Sequence, residues 1–195
     1  MLPNLAIVGR PNVGKSTLFN RLVGDERAVV HDEPGTTRDS IDTVIETEDG
    51  PLRFVDTAGM RRRSRIDEPT EYYSLVRALE SVDRADAALL VIDATAGVTH
   101  QDQRLAERVD AAGTAAIVVL NKWDLTDADQ RRDVLQQAAD RLEFLAYAPL
   151  VKVSALTGRN LRHVLPAPRD AEAASHRPVP TAALTRVSPD AQPRK

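Results

Sequence analysis

The sequence has 195 residues, a formal net charge of −3 and no cysteine. This length suffices for one domain with a sizeable core, and the charge balance gives no general reason to expect binding to nucleic acid or membranes. The absence of cysteine excludes disulfides, thiolate nucleophiles and zinc sites with cysteine ligands, and it suits a reducing compartment. We find no signal segment and no apolar run near the length of a membrane span, and we therefore expect a cytoplasmic protein.

The first predicted elements are a strand, a glycine-containing loop and a helix. The run 5–8 is typical of a buried strand, and apolar residues at helical spacing follow the loop. Between them, GRPNVGKS fits G-x-x-x-x-G-K-[ST], the loop that binds nucleotide phosphates, in the required context. Glycines let main-chain N–H groups surround an anion, the lysine suits the β- and γ-phosphates, and the serine suits Mg²⁺. The predicted phosphate-binding residues are Gly9, Arg10, Pro11, Asn12, Val13, Gly14, Lys15, Ser16 and Thr17.

The next segment predicts a long loop and then a hairpin. Residues 25–39 contain few apolar side chains, whereas the alternation over 40–47 and the run 52–55 predict two antiparallel strands. The sequence DTAG follows the second strand, where a carboxylate can hold Mg²⁺ through water and a glycine can approach the γ-phosphate. The alternative is a plain turn at the end of a strand. The residues of this predicted site are Asp56, Thr57, Ala58, Gly59 and Met60.

After a basic loop at residues 61–65, helices alternate with strands. The basic loop suits either RNA phosphates or a neighbouring domain, or else it is a solvated loop. The patterns predict helices over 69–84, 101–112 and 128–145, strands over 87–92, 116–120 and 150–153, and a further helix beginning at residue 161. This order predicts an α/β fold, with a mostly parallel six-stranded sheet, one antiparallel edge strand and helices on both faces. We predict one domain over residues 1–176 and a Pro-rich tail over 177–195.

Two motifs at the ends of later strands indicate the base of the nucleotide. Asp124 can accept two hydrogen bonds from the N1–H and the amino group of guanine, and adenine offers no such pair. Asn121 can reach guanine N7 and the loop backbone, and the stem of Lys122 can lie along the ring. The segment 154–156 supplies a main-chain N–H near guanine O6. The predicted guanine-binding residues are Asn121, Lys122, Asp124, Ser154, Ala155 and Leu156.

The motifs together resemble those of a known group of GTPases. The set GRPNVGKS, PGTTRD, DTAG, NKWD and SAL is similar to the Era, MnmE and Der (EngA) group of translation-factor-related GTPases. The linking text FVDTAGMRRRSRID, EYYSLVRALE, LLVIDAT-x-GVT-x-QDQR and NKWDL resembles the second G domain of the Der family of bacterial ribosome-assembly GTPases, over residues 5–158. The resemblance implies a P-loop G domain that switches by hydrolysing GTP to GDP. It also implies that the Pro-rich tail over 177–195 is a truncated remnant of the entry to a KH-like domain. A longer protein would then act on the large ribosomal subunit, while RNA binding by this chain alone stays open.

The resemblance further implies a metal site and a route to hydrolysis. Thr37 matches the loop threonine that completes Mg²⁺ coordination with Ser16 and Asp56, although the neighbouring Thr36 leaves that choice open. Met60 stands where Ras-like proteins carry the glutamine that orients the attacking water, and a thioether cannot do this.

Asn12 matches the asparagine that holds K⁺ in MnmE, and the alternative is that it only shapes the loop. We expect slow, K⁺-stimulated hydrolysis with Lys15, Asn12 and Thr37 as catalytic residues. The alternative function is a nucleotide-binding regulatory module with negligible turnover that acts by binding a partner. For Asp93, which ends a strand beside the site, a strand-end cap and a catalytic base are the alternatives.

Overall fold

In the part of the chain that the structure describes, a seven-stranded mixed sheet lies between helices. The structure is a computed structural model, and its described residues are 2–24, 30–34, 41–47, 50–57, 60 and 80–165. The strands are β1 (Asn4–Val8), β2 (Val30–Pro34), β3 (Ile41–Thr47), β4 (Gly50–Phe54), β5 (Ala87–Asp93), β6 (Ala115–Asn121) and β7 (Leu150–Lys152). The helices with described bounds are α1 (Lys15–Val23), α2 (His100–Ala111) and α3 (Ala128–Arg141), and 3₁₀ turns cover Trp123–Leu125, Glu143–Leu145 and Leu161–His163.

The sheet has the order β2-β3-β4-β1-β5-β6-β7, and every pair from β4 to β7 is parallel. The predicted α/β class, the mostly parallel sheet and the antiparallel hairpin of β3 and β4 are therefore confirmed. The predicted count of six strands is one too low, because β2 lies inside the predicted loop and pairs antiparallel with β3. The antiparallel strand β3 is consequently not at the edge. The sequence of β2, VHDEP, has no alternation and ends in a proline, which an edge strand tolerates.

The uninterrupted apolar sequence of β5 follows from the central position of this strand in the sheet. Alternate side chains point to opposite faces of a strand, and both faces of β5 are covered. Leu90 and Ile92 lie in the core cluster that includes side chains of α2 and α3. Leu89 and Val91 lie in the opposite cluster, which includes Phe19 of α1. Burial of each such side chain stabilises the fold by about 1.5–3 kcal/mol.

Local sequence determines how the helices begin and end. Capping boxes start α2, through Thr99 and Asp102, and α3, through Asp127 and Gln130. The last long helix ends at Arg141, before the predicted 145, and continues as a 3₁₀ turn. The helix predicted from residue 161 is a 3₁₀ turn as far as it is described. Residues 80–83 are helical, in agreement with the predicted helix over 69–84, and the predicted tail over 177–195 lies outside the described residues. No helix in the described ranges is both long enough and apolar enough to cross a bilayer.

Candidate functional site

The predicted motifs meet at one edge of the sheet. Strands β1, β4, β5, β6 and β7 run parallel, so that their carboxyl ends share an edge. Ligands of α/β sheets bind outside such an edge. The segments that follow these ends begin at Gly9, Val55, Ala94, Lys122 and Val153.

The phosphate loop connects β1 to α1 and leaves the start of the helix open. Gly14 is the N-cap of α1, has φ +101°, and provides no side chain to cap the first N–H groups. These donors, together with the helix dipole, favour an anion. The loop is also tightly confined, because a Cβ on Gly9 would lie 2.4 Å from Val91 O. A Cβ on Gly14 would lie 2.3 Å from Asn121 Nδ2. Both glycines are therefore required by close contacts with neighbouring strands.

Lys15 lies over this loop. Its Nζ donates to Gly9 O and to Arg10 O, each at 2.7 Å. The ammonium is thus held by main-chain carbonyls at the open helix start, where it adds a positive charge to the N–H donors. Ser16, which follows it, is 7% exposed. Its hydroxyl is a ligand that Mg²⁺ accepts.

Asn121 joins the phosphate loop to the predicted guanine loops. It is only 2% exposed, and its Nδ2 donates to Val13 O at 2.9 Å. Its Oδ1 accepts from Ala155 N, also at 2.9 Å. One buried amide therefore holds three loops that are distant in sequence. The second N–H of Nδ2 is still chemically able to donate to the N7 of a base.

Asp124 carries an unsatisfied acceptor. Its Oδ1 is buried and has no hydrogen-bond partner among the described residues. Leaving such a group unpaired costs about 1–3 kcal/mol, and more for a charged group. A buried polar atom without a partner is rare in native proteins and is explained by a functional role or by a water, an ion or another bound group at the site. A carboxylate oxygen needs a donor, and the adjacent N1–H and amino group of guanine provide a pair of them.

Lys122 is held in place by contacts on two sides. It has φ +62°, and its Nζ donates to Asn12 O at 2.9 Å and to Asp93 Oδ2 at 2.5 Å. Thr95 donates to Asp93 through both its N and its Oγ1. Burial raises the pKa of Asp93, but the hydrogen bonds from Lys122 and Thr95 outweigh it and hold the pKa below the usual value. Asp93 is thus an ionised partner of Lys122 and a strand-end cap. This arrangement does not suit a general base.

Sequence reasoning missed the contacts that hold the predicted guanine-binding segments. Two cations lie near the Trp123 ring, with Arg131 Cζ at 5.4 Å and Lys152 Nζ at 5.5 Å from its centroid. Arg131 also donates to Trp123 O. On the other side, Arg21 of α1 donates to Leu156 O at 2.8 Å. No local sequence pattern indicates the contacts of Trp123 with Arg131 and Lys152 or of Arg21 with Leu156.

Asp56 belongs to a polar network at the end of β4. It has φ +53°, and its N–H donates to Asp42 Oδ1 at 3.0 Å. Asp42 is 6% exposed and forms an ion pair with Arg84 at 2.7 Å. The hydroxyl of Ser81 donates to Asp56 Oδ2 at 3.3 Å. Thr57 is fully buried, and its Oγ1 lies 2.8 Å from Ile41 O, to which it donates. The network therefore fixes the main chain of the predicted metal-binding carboxylate.

Met60 is the last described residue of the predicted site before residue 80. It is half-buried against the core cluster on the α1 side, and its N–H donates to Thr57 O. Thr36, Thr37, Ala58, Gly59 and the basic loop at 61–65 lie outside the described residues. The role of Thr37 in the metal site therefore stays a prediction.

Comparison with known proteins gives one family. The model of a family described as "50S ribosome-binding GTPase" matches residues 4–122, which is more than half of the chain. A GTPase Der from a Synechococcus species is 48% identical over 190 residues, which cover 96% of this chain and 41% of the relative. A GTPase Der from Moorella thermoacetica is 49% identical over 188 residues, which cover 94% of this chain and 42% of the relative. The chain therefore spans less than half the length of these curated relatives.

A solved structure gives the same indication. The chain is similar to Era in complex with MgGDPNP and nucleotides 1506–1542 of 16S ribosomal RNA, with a TM-score of 0.62 and 27% identity. The match covers 100% of this chain and 59% of Era. A selenocysteine-specific elongation factor, at 21% identity and a TM-score of 0.65, supports the fold alone.

Proposed function

This chain belongs to the family of 50S ribosome-binding GTPases, and from this premise we propose that it is a guanine-nucleotide switch that slowly hydrolyses GTP. The observation that carries the proposal is the buried Oδ1 of Asp124, which has no partner among the described residues. Asn121, three residues earlier, hydrogen-bonds Val13 O and so joins the segment of Asp124 to the phosphate loop. The first feature selects guanine, and the second connects recognition of the base to binding of the phosphates.

Guanine recognition follows from the chemistry of Asp124. The two donors of guanine satisfy its carboxylate, whereas adenine would leave a charged group buried and unpaired. Sites that read a base or side chain by such polar pairing reject an analogue without the partner by about 10⁴–10⁵-fold. Lys122, two residues before Asp124, donates to Asn12 O and so connects the segment of Asp124 to the phosphate loop.

Phosphate binding and hydrolysis use the loop and its lysine. The uncapped N–H groups at the start of α1 donate to the phosphate oxygens, and Lys15 neutralises charge that develops on the β- and γ-phosphates. The donor set of Ser16 and Asp56 fits Mg²⁺, which prefers hydroxyl and carboxylate oxygens, and Thr37 would complete it. When bound, Mg²⁺ would supply positive charge that stabilises the phosphate groups. Asp42 and Ser81 orient Asp56 for this task.

The water-orienting step has no glutamine at Met60, and we propose that Asn12 serves a K⁺ ion instead. Asn12 is exposed at the loop, has φ +63°, and its main chain is held by Lys122. Its amide oxygen is the kind of ligand that coordinates K⁺. When bound, K⁺ supplies a second positive charge at the phosphates.

The test of catalysis is single-turnover GTP hydrolysis in K⁺ and in Na⁺ buffers of equal ionic strength. We expect faster hydrolysis in K⁺, and loss of this preference in Asn12→Ala with GDP affinity largely retained. Equal rates in the two buffers would refute the K⁺ role. Negligible hydrolysis in both, with tight GTP binding, would favour a regulatory module that acts by binding a partner.

We further propose that the longer protein of which such domains form part acts on the large ribosomal subunit in the cytoplasm. Support comes from the family description and from the GTPase Der relatives. Co-sedimentation of this chain with isolated 50S subunits, with a GTP analogue and with GDP, tests whether the domain contributes to that contact. Equal sedimentation with both nucleotides would contradict a switch at this surface.

A further inference from the structure

The phosphate loop contacts a buried carboxylate that is not among the predicted nucleotide-binding residues. Asp102, in the first turn of α2, is 0% exposed. A buried carboxylate is strongly destabilising unless it is paired and hydrogen-bonded. The hydrogen-bond donors to Asp102 therefore indicate what stabilises its carboxylate in the buried position.

Asp102 uses its two oxygens for different purposes. Oδ2 accepts from Thr99 N at 2.9 Å and from Thr99 Oγ1 at 2.8 Å, which completes the capping box of α2. Oδ1 accepts from Arg10 Nε at 2.9 Å. A capping box needs only one acceptor, so that the second oxygen serves the phosphate loop, 92 positions earlier in the chain.

Arg10 carries this contact to Lys15. Its side chain is 20% exposed and pairs with Asp102, while its carbonyl oxygen accepts from Lys15 Nζ at 2.7 Å. The preceding Gly9 packs so closely against β5 that a Cβ would lie 2.4 Å from Val91 O. The main chain that holds Lys15 is therefore anchored from both sides.

The other end of this connection is anchored on α3. Gln137 Oε1 accepts from Val98 N at 2.9 Å, and Arg141 Nη1 donates to Val98 O. Gly97 is so close that a Cβ would lie 2.3 Å from Gln137 Oε1. The loop before α2 is thus hydrogen-bonded to α3, and Asp102 connects this part of the fold to the phosphate loop.

We infer that Asp102 is a positioning residue for phosphate binding, which acts through Arg10 on the main chain that orients Lys15. The inference rests on the proposed function, because it concerns the same nucleotide site. The competing account is that the pair stabilises the fold and has no effect on phosphate binding.

The experiment compares Arg10→Met, Asp102→Asn and the double variant with wild type. Glu107→Gln is the matched control, because it removes one negative charge from an exposed position of the same helix. Equilibrium affinities are measured for GDP and, by competition, for GMP, which lacks the phosphate that Lys15 is proposed to hold. Thermal unfolding of the nucleotide-free proteins is measured in parallel.

We expect each single variant to weaken GDP binding by about tenfold and to leave GMP binding nearly unchanged. The double variant should be no weaker than the singles, since the two residues act as one unit. If a single variant does not fold, the double variant, which buries no unpaired charge at this position, carries the test. An unchanged ratio of GDP to GMP affinity, with a lowered melting temperature, would overturn the inference. Wild-type protein that prefers neither guanine nucleotide over ADP and AMP would overturn the proposed function itself.

Discussion

Replacing Asn121 by alanine should disconnect the guanine loops from the phosphate loop. The side chain makes two hydrogen bonds of 2.9 Å, to Val13 O and from Ala155 N, and it is 2% exposed. Truncation leaves both main-chain groups buried without partners, at about 1–3 kcal/mol each. The expected loss is therefore about 2–6 kcal/mol, a large part of the roughly 5–15 kcal/mol that stabilises a typical domain.

The assay is thermal unfolding with and without GDP, combined with equilibrium GDP binding. A loss near the middle of that range corresponds to a melting temperature lower by about 8–16 °C for a domain of this size. GDP affinity should fall as well, because the three loops no longer hold each other. Gln136→Ala is the control: it removes an exposed amide that bonds Asp140 on α3, and its effect should stay within about 0.5 kcal/mol. A shift of about 2 °C corresponds to roughly 0.5–1 kcal/mol for a domain of this size. The reasoning is refuted if the melting temperature of Asn121→Ala lies within about 2 °C of that of the control and the variant binds GDP normally.

Three further predictions follow from the contacts of the site. Gly14→Ala should weaken GDP binding more than tenfold, as measured by calorimetry, because its Cβ would displace Asn121; Gly113→Ala, also at positive φ but with open space around it, measures the backbone strain alone, and equal effects would contradict the clash. Arg84→Ala removes the cation that pairs with the buried Asp42 and should cost about 3–5 kcal/mol in urea unfolding, whereas Arg132→Ala, from an exposed pair, should cost under about 1 kcal/mol. Because the pKa of Asp93 is lowered on folding, its contribution to stability is present above its ordinary value of 3.8 and is lost as the pH falls through the lower folded value; the stability difference between wild type and Asp93→Asn should therefore shrink in unfolding curves below pH 3.8, and a difference that grows there would contradict the ion pair.

Local signals were sufficient for most of the fold. The glycine loop between β1 and α1, the uninterrupted apolar runs of β5 and β6, and the antiparallel pairing of β3 with β4 all have direct physical causes in neighbouring residues. Strand β2 was missed because VHDEP has no periodic pattern and becomes a strand only by pairing with β3. Residues 142–145 were predicted to continue α3, but the chain tightens into a 3₁₀ turn there, and helix ends are weakly specified by pattern.

The candidate site was predictable as motifs but not as a network. Sequence places Gly14, Lys15, Asn121 and Asp124 at strand ends, which brings them to one edge of the sheet. A contact of Asn121 with the loop backbone was predicted, but no local pattern identifies its acceptor as Val13 O, 108 positions away. The pairing of Arg10 with Asp102 is equally invisible, although the capping box of Thr99 and Asp102 has a readable spacing.

The central claim is that Asp124 selects guanine, and exchanging its carboxylate for an amide tests it most directly. Asp124→Asn replaces one acceptor by a donor, so that the amide matches the carbonyl of xanthine in place of the amino group of guanine. Equilibrium affinities of wild type and variant for GTP and xanthosine triphosphate are to be measured under identical Mg²⁺ and salt. We predict that GTP affinity falls by about 100-fold or more while affinity for xanthosine triphosphate rises. Unchanged GTP affinity in the variant would contradict the account.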